Sequence, residues 1–130
     1  MSRFITSFTA AVVAASFLGL GAIAWAQGAW EAPAAEKTKK SPGGNAANGK
    51  KIADTNCVSC HGPSGKGDGA AAAALNPKPA DWTSAKVQGE SDGALFWKIS
   101  NGRGPMPPWK HLSEKDRWDL VAHVKSLGKK

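Results

Sequence analysis

Cys57-Val58-Ser59-Cys60-His61 is the stretch on which the reading of this chain turns. Two cysteines three residues apart at the end of a helix can bond both vinyl groups of one haem, and the adjacent His61 then offers its imidazole to the iron. Thioether links hold the ring through changes of oxidation state, so a small domain keeps its cofactor despite a thin core. Three other uses of paired cysteines weigh less. A redox-active disulfide of this spacing needs a βαβ surround, and the flanking residues do not offer one. A structural zinc site needs four ligands, yet the sequence holds no second cysteine pair. A plain disulfide of a secreted protein leaves the following histidine unexplained. The motif therefore predicts one haem c, attached through Cys57 and Cys60, with His61 as an iron ligand.

The opposite face of the iron needs a second ligand or an open position. Met106 lies downstream within Gly104-Pro105-Met106-Pro107-Pro108-Trp109. A lone methionine more often fills a core than binds a metal. This one stands between prolines, which fix φ and remove backbone donors, so its loop moves little. A rigid thioether keeps iron geometry similar in both oxidation states, and as a soft ligand it favours reduced iron and raises the potential. His111 and His123 are the competing ligands, and packing or solvent-facing roles suit both better. His123 falls in the last helix, at a position expected to face its packing partner.

Upstream of the motif the chain changes character twice. Arg3 and the amino terminus precede an uncharged, Ala-rich stretch from Ile5 to Trp25, and Ala24-Trp25-Ala26 supplies the small-x-small pattern of a cleavage site before Gln27. Residues 1–26 thus read as a signal peptide. The alternative is an uncleaved membrane anchor, since about 20 uncharged residues span a bilayer. Either way the remainder is expected to be exported, periplasmic or anchored facing the periplasm. Residues 27–44 mix Ala, Pro, Lys and Gly with hardly a large apolar side chain except Trp30, a composition that predicts a flexible linker or tail.

The folded domain is expected over residues 45–130. Ala46 to Thr55 reads as a short helix leading into the cysteines. Gly and Pro make residues 62–90 mostly loop, with a helical turn within Ala70–Leu75. Ser91 suits the N-cap of a helix from Asp92 to Ser100, ended by Asn101-Gly102. A stiff Pro-rich loop covers residues 103–112. Ser113 and Asp116 then resemble a capping box ahead of an apolar stripe of Leu120, Val121, Val124 and Leu127, with Gly128 at the end. The domain is all-α.

These residues are similar to those of class I c-type cytochromes, the small monohaem cytochromes of bacterial periplasms. The resemblance runs from Asn45 to Leu127. Gly49-Lys50-Lys51 resembles the family's first helix, Gly65-Lys66-Gly67-Asp68-Gly69 and Leu75 to Trp82 its haem-wrapping loops, Gly102 to Pro108 its methionine loop, and Leu120 to Leu127 its terminal helix. The resemblance implies a cytochrome c-like fold of short helices and loops around one low-spin haem, with Pro79 and Trp82 near the ring. It implies a proline supporting the histidine, for which Pro63 is a further candidate. Two positions depart from the pattern. Ala53 stands where the family has an aromatic, and His123 where it has Tyr or Phe, a pair expected to compensate each other with Trp118 filling volume nearby.

The expected function is one-electron transfer between redox partners, the iron cycling between Fe(III) and Fe(II), by a free carrier or a subunit of a larger oxidoreductase. A peroxidase-like enzyme or a gas or redox sensor would need a releasable distal ligand, and a Met106 between prolines argues against that. The formal net charge is +7, but the basic residues are scattered and form no nucleic-acid-binding motif. Lys66, Lys78, Lys98, Arg103 and Lys110 lie in segments expected to flank the haem edge, which points to a donor and an acceptor with acidic docking surfaces. Membrane association would come through residues 5–25 if the leader stays on the chain.

Overall fold

A computed structural model describes residues 29–128. The leader expected over residues 1–26, with its cleavage site before Gln27, lies outside the described residues, as do the first two linker residues, Lys129 and Lys130. Among the described residues six helices follow one another, and the one β-bridge joins Arg103 and Met106. They are α1 (Ala34–Lys37), α2 (Ala46–Asn56), α3 (Val58–His61), α4 (Ala85–Gln88), α5 (Asp92–Asn101) and α6 (Glu114–Ser126). A 3-10 turn covers Ala72–Ala74.

Local chemistry explains where these helices start. Asn45 Oδ1 accepts from Asn48 N at 3.0 Å to open α2. Ser91 Oγ accepts from Ala94 N at 3.2 Å to open α5, and Ser113 Oγ accepts from Asp116 N at 3.0 Å to open α6. Each satisfies an amide that the helix itself leaves without a partner. The Ser113 hydroxyl in turn donates to Asp116 Oδ2 at 2.8 Å. The short α4 starts the same way at Ser84, a cap that its loop-like surroundings conceal in the sequence.

The framework is the crossing of α2 and α6. Gly49 makes it close: a Cβ there would stand 1.9 Å from the Asp119 carbonyl oxygen and 2.9 Å from His123 Cβ. Any side chain at Gly49 would force the helices apart. Asp119 ties the same crossing with charge. Its buried carboxylate accepts from Asn45 N at 2.7 Å, Asn48 Nδ2 at 2.7 Å and Lys115 Nζ at 2.6 Å. Burial pushes the Asp119 carboxyl up, but these three donors outweigh it and hold it below the ordinary carboxylate range.

Behind the crossing, Val87, Leu95, Phe96, Trp118, Val121 and Val124 form the core, with Trp82 and Ile99 packed against it. Phe96 and Trp118 stack with ring centroids 4.1 Å apart. The expected stripe of α6 is inside: Leu120, Val121 and Val124 are buried and Leu127 is half-buried.

The segment expected to be a flexible linker departs from that expectation. Residues 29–44 lie on the domain as a strap, with Ala32 buried and α1 packed on α5. Gly93 admits the contact, since a Cβ there would meet the Glu36 and Lys39 carbonyl oxygens at 2.1 and 2.6 Å. Trp30 takes Lys98 Nζ over its ring at 5.4 Å, and Phe96 takes Lys39 Nζ at 4.9 Å. The strap has little apolar bulk of its own and is held by main-chain contact and cation–π pairs. Composition alone does not register either.

Candidate haem site

Cys57, Cys60 and His61 leave one turn of chain. Cys60 N and His61 N both donate to the Cys57 carbonyl, at 3.1 and 2.9 Å. Spacings of three and four residues put the two thiols and the imidazole on one side of that turn. Both cysteines are free and half-buried. Burial, and then the neighbouring Cys60, push the Cys57 thiol up to about 11, so it stays protonated and uncharged at neutral pH.

A loop folds back to close the carbonyl end of α3. Gly62 N donates to Val58 O, Ala71 N to Ser59 O, Gly69 N to Cys60 O and Gly67 N to His61 O, at 2.9 to 3.1 Å. With these bonds made, the last turn of a four-residue helix is held as firmly as a longer one. Trp82 N then donates to Gly65 O at 2.7 Å, drawing the 79–82 segment beneath the same loop.

That segment orients His61. Nδ1 of His61 stands 3.1 Å from the Ala80 carbonyl oxygen. A carbonyl only accepts, so Nδ1 carries the proton and Nε2 keeps its lone pair. Burial lowers the His61 pKa below the ordinary imidazole value, and the Ala80 bond only partly offsets that. The ring is therefore neutral at neutral pH. Trp82 stacks on it at a centroid distance of 4.4 Å and an interplanar angle of 25°. A neutral imidazole with one nitrogen tied to a carbonyl and the other free is the donor a metal takes.

The expected site residues are distributed as follows. Trp82 lies on the imidazole itself. Pro79 is half-buried and turns its carbonyl to Gly67. The expected proline support of the histidine comes instead from the main chain of Ala80, and Pro63 is exposed. Ala80 escapes sequence reasoning because its contribution is a carbonyl that every residue has. The one trace is its position between Pro79 and Trp82.

Met106 is half-buried in a turn closed by two reciprocal bonds, Arg103 N to Met106 O at 2.9 Å and Met106 N to Arg103 O at 3.0 Å. Trp109 N donates to Ile99 O at 3.1 Å and fixes the far end of the loop to α5. His111 is exposed beside Trp109, and His123 is buried on α6. The ring that meets His123 is Trp82, at 6.1 Å edge-on, whereas Trp118 is engaged with Phe96. Of the expected docking residues, Lys66, Lys78 and Lys110 are exposed and Arg103 is half-buried. Lys98 is withdrawn: its ammonium pairs with Glu90 at 2.5 Å, and its side chain is 13% exposed.

Two free thiols and an imidazole with an unspent nitrogen, all on one turn, fit a covalently attached haem that His61 would ligate. The chemistry of the donor set and the bond to Ala80 carry that fit.

The chain is similar to known proteins. The family model described as Cytochrome c matches residues 46–128. The Cbb3-type cytochrome c oxidase subunit CcoP of Azospirillum sp. (strain B510) is 35% identical over 69% of this chain and 31% of its own length. The subunit FixP of Bradyrhizobium diazoefficiens is 39% identical over 66% of this chain and 29% of its own. The chain thus spans about a third of the length of the curated relatives it matches. Among solved structures, a chain of the Kuenenia stuttgartiensis reducing HAO-like protein complex Kustc0457/Kustc0458 superposes with a TM-score of 0.55 at 29% identity, covering 62% of this chain and 41% of that one.

Proposed function

This chain belongs to the cytochrome c family, and from that premise we propose that it is an electron carrier whose haem iron would be held by His61 and Met106, working beside or within a larger oxidoreductase. Haem-based electron transfer is the family's activity, and haem c attached at Cys57 and Cys60 is its cofactor. The bound haem supplies a one-electron couple, Fe(III)/Fe(II). The observation that carries the ligand assignment is the Ala80 carbonyl 3.1 Å from His61 Nδ1, which leaves Nε2 as the donor.

The residues of the chain then have defined tasks. Cys57 and Cys60 would anchor the ring, and the loop bonded to the Val58, Ser59, Cys60 and His61 carbonyls keeps the anchor from moving. Ala80 sets the tautomer of His61, and Trp82 limits its rotation. Met106 stands on a loop of prolines and reciprocal main-chain bonds, so a thioether there keeps its position when the iron changes charge. Little movement means little reorganisation between oxidation states. Pro79 lines the approach to the ring.

The exposed Lys66, Lys78 and Lys110 support docking to partners with acidic surfaces, with association that slows as salt rises. Relatives named as oxidase subunits support a donor and an acceptor within a respiratory assembly. No helix among the described residues is long and apolar enough to cross a membrane. We assign export to the leader over residues 1–26, and membrane contact, where the leader is retained, to the uncharged stretch of residues 5–25.

A carrier and a peroxidase-like enzyme or gas sensor separate on one measurement. The purified protein, oxidised and reduced, is scanned before and after carbon monoxide. The carrier shows a methionine-to-iron band in the far red when oxidised and no change with carbon monoxide when reduced. A shifted Soret band on adding the gas means an open or releasable site, and the enzyme or sensor reading takes over.

A further inference from the structure

His123 occupies a place no part of the site above explains. It is buried, 7% exposed, at the α2/α6 crossing, where its Cβ lies against Gly49. Its ring stands edge-on to Trp82, and the other side of the contact chain is the 4.4 Å stack of Trp82 on His61. An imidazole, a tryptophan and a second imidazole are therefore in series, from the helix crossing to the iron ligand. His123 has no ring hydrogen bond among the described residues, yet neither ring nitrogen is sealed from water without a partner. A proton can reach it.

We propose that His123 is a positioning residue for electron transfer: a proton taken up on its imidazole, felt across Trp82 at His61, raises the reduction potential of the haem. The inference rests on His61 being the iron ligand. A positive charge in a poorly solvated position favours the iron state with one charge fewer. The balance is simple. The electron enters at the iron from the redox partner, the proton comes from water to the unprotonated ring nitrogen of His123, and no covalent bond of the protein breaks.

The charged groups around His123 decide where this acts. From α2 it faces Lys50 and Asp54, which pair with each other at 2.6 Å. On its own helix, Asp119 one turn back is already engaged by Lys115, Asn45 and Asn48. In the loop carrying Trp82, Asp81 is tied to Thr83. Burial, and then Lys50, lower the His123 pKa, with Asp54 opposing. His123 is thus neutral at neutral pH and charges on the acid side of the ordinary imidazole range. The potential is level above that range and rises as pH falls through it.

The test is the reduction potential of the haem-loaded protein from about pH 7.5 to about pH 4.5, for the parent and for His123→Phe, beside NMR titration of His123 in both oxidation states. The expected result is an acid-side rise in the parent that His123→Phe lacks. The His123 titration should also sit about half a pH unit higher in the reduced protein. Superimposable potential curves, or the same titration in both states, overturn the proposal. The NMR titration needs no variant, so it decides even if His123→Phe fails to mature. A wrong assignment of His61 declares itself separately in the same NMR series, because an imidazole bound to iron through Nε2 does not titrate across this pH range whereas an unbound one does.

Discussion

The histidine turn and the methionine loop, which we propose flank the haem as its two walls, are built by different means. On the histidine side, four main-chain bonds close α3, a carbonyl fixes the tautomer of His61, and Trp82 covers its ring. Trp82 in turn rests on the core and on His123, so this wall leans on the α2/α6 crossing. On the methionine side, two reciprocal bonds and a run of prolines do the holding, and the loop is fastened to α5 at Trp109. One wall draws rigidity from packing around a side chain. The other draws it from a backbone with few conformations. A ligand that must present one nitrogen needs its ring oriented, whereas a thioether needs only its tether kept still.

The sharpest way to break this contrast is to remove the sulfur. Met106→Ala should leave attachment and folding intact, because the turn is closed by the main chains of Arg103 and Met106. The iron should become high-spin and bind carbon monoxide, and the potential should fall by on the order of 0.1–0.3 V, within the roughly 0.8 V that axial ligands span. Absorption spectra and redox titration check it. An unchanged spectrum would mean that the methionine wall supplies no ligand.

A smaller effect separates the other wall. Asp119→Asn removes a charge that three donors share, and should cost about 2 kcal/mol of stability at neutral pH. The pH dependence has a definite sign. The folded-state pKa of Asp119 is lowered, so its contribution is full above the ordinary carboxylate range and fades as pH falls through the folded value. Urea unfolding of both proteins from neutral pH into acid should therefore show the gap closing. The far-red methionine band should persist in Asp119→Asn, because the methionine loop does not hang on that crossing. A gap that widened in acid would contradict the role given to the three donors.

What the sequence disclosed follows the same division. The anchor motif is legible because its chemistry needs particular side chains at one spacing. The caps at Ser91 and Ser113 and the stripe of α6 are legible because they repeat local rules. Ala80 is hidden because its carbonyl carries no residue signature. The strap from Trp30 onward is hidden because its hold on α5 comes from Gly93, main-chain contact and two lysines over rings, none of which looks apolar in sequence. Lys98 misleads for a related reason: a charge in a promising segment is consumed by Glu90 and Trp30, partners distant or inconspicuous in the chain. Trp82 is expected near the ring from resemblance, but its place between two imidazoles emerges only in three dimensions.

Intact-mass measurement of the purified holoprotein, paired with a pyridine haemochrome spectrum, bears most directly on the whole account. The polypeptide should weigh more by one haem, survive denaturation with the colour attached, and give the haemochrome of a ring joined by two thioethers. A polypeptide of bare mass, or a haem that extracts into acidified solvent, would contradict it.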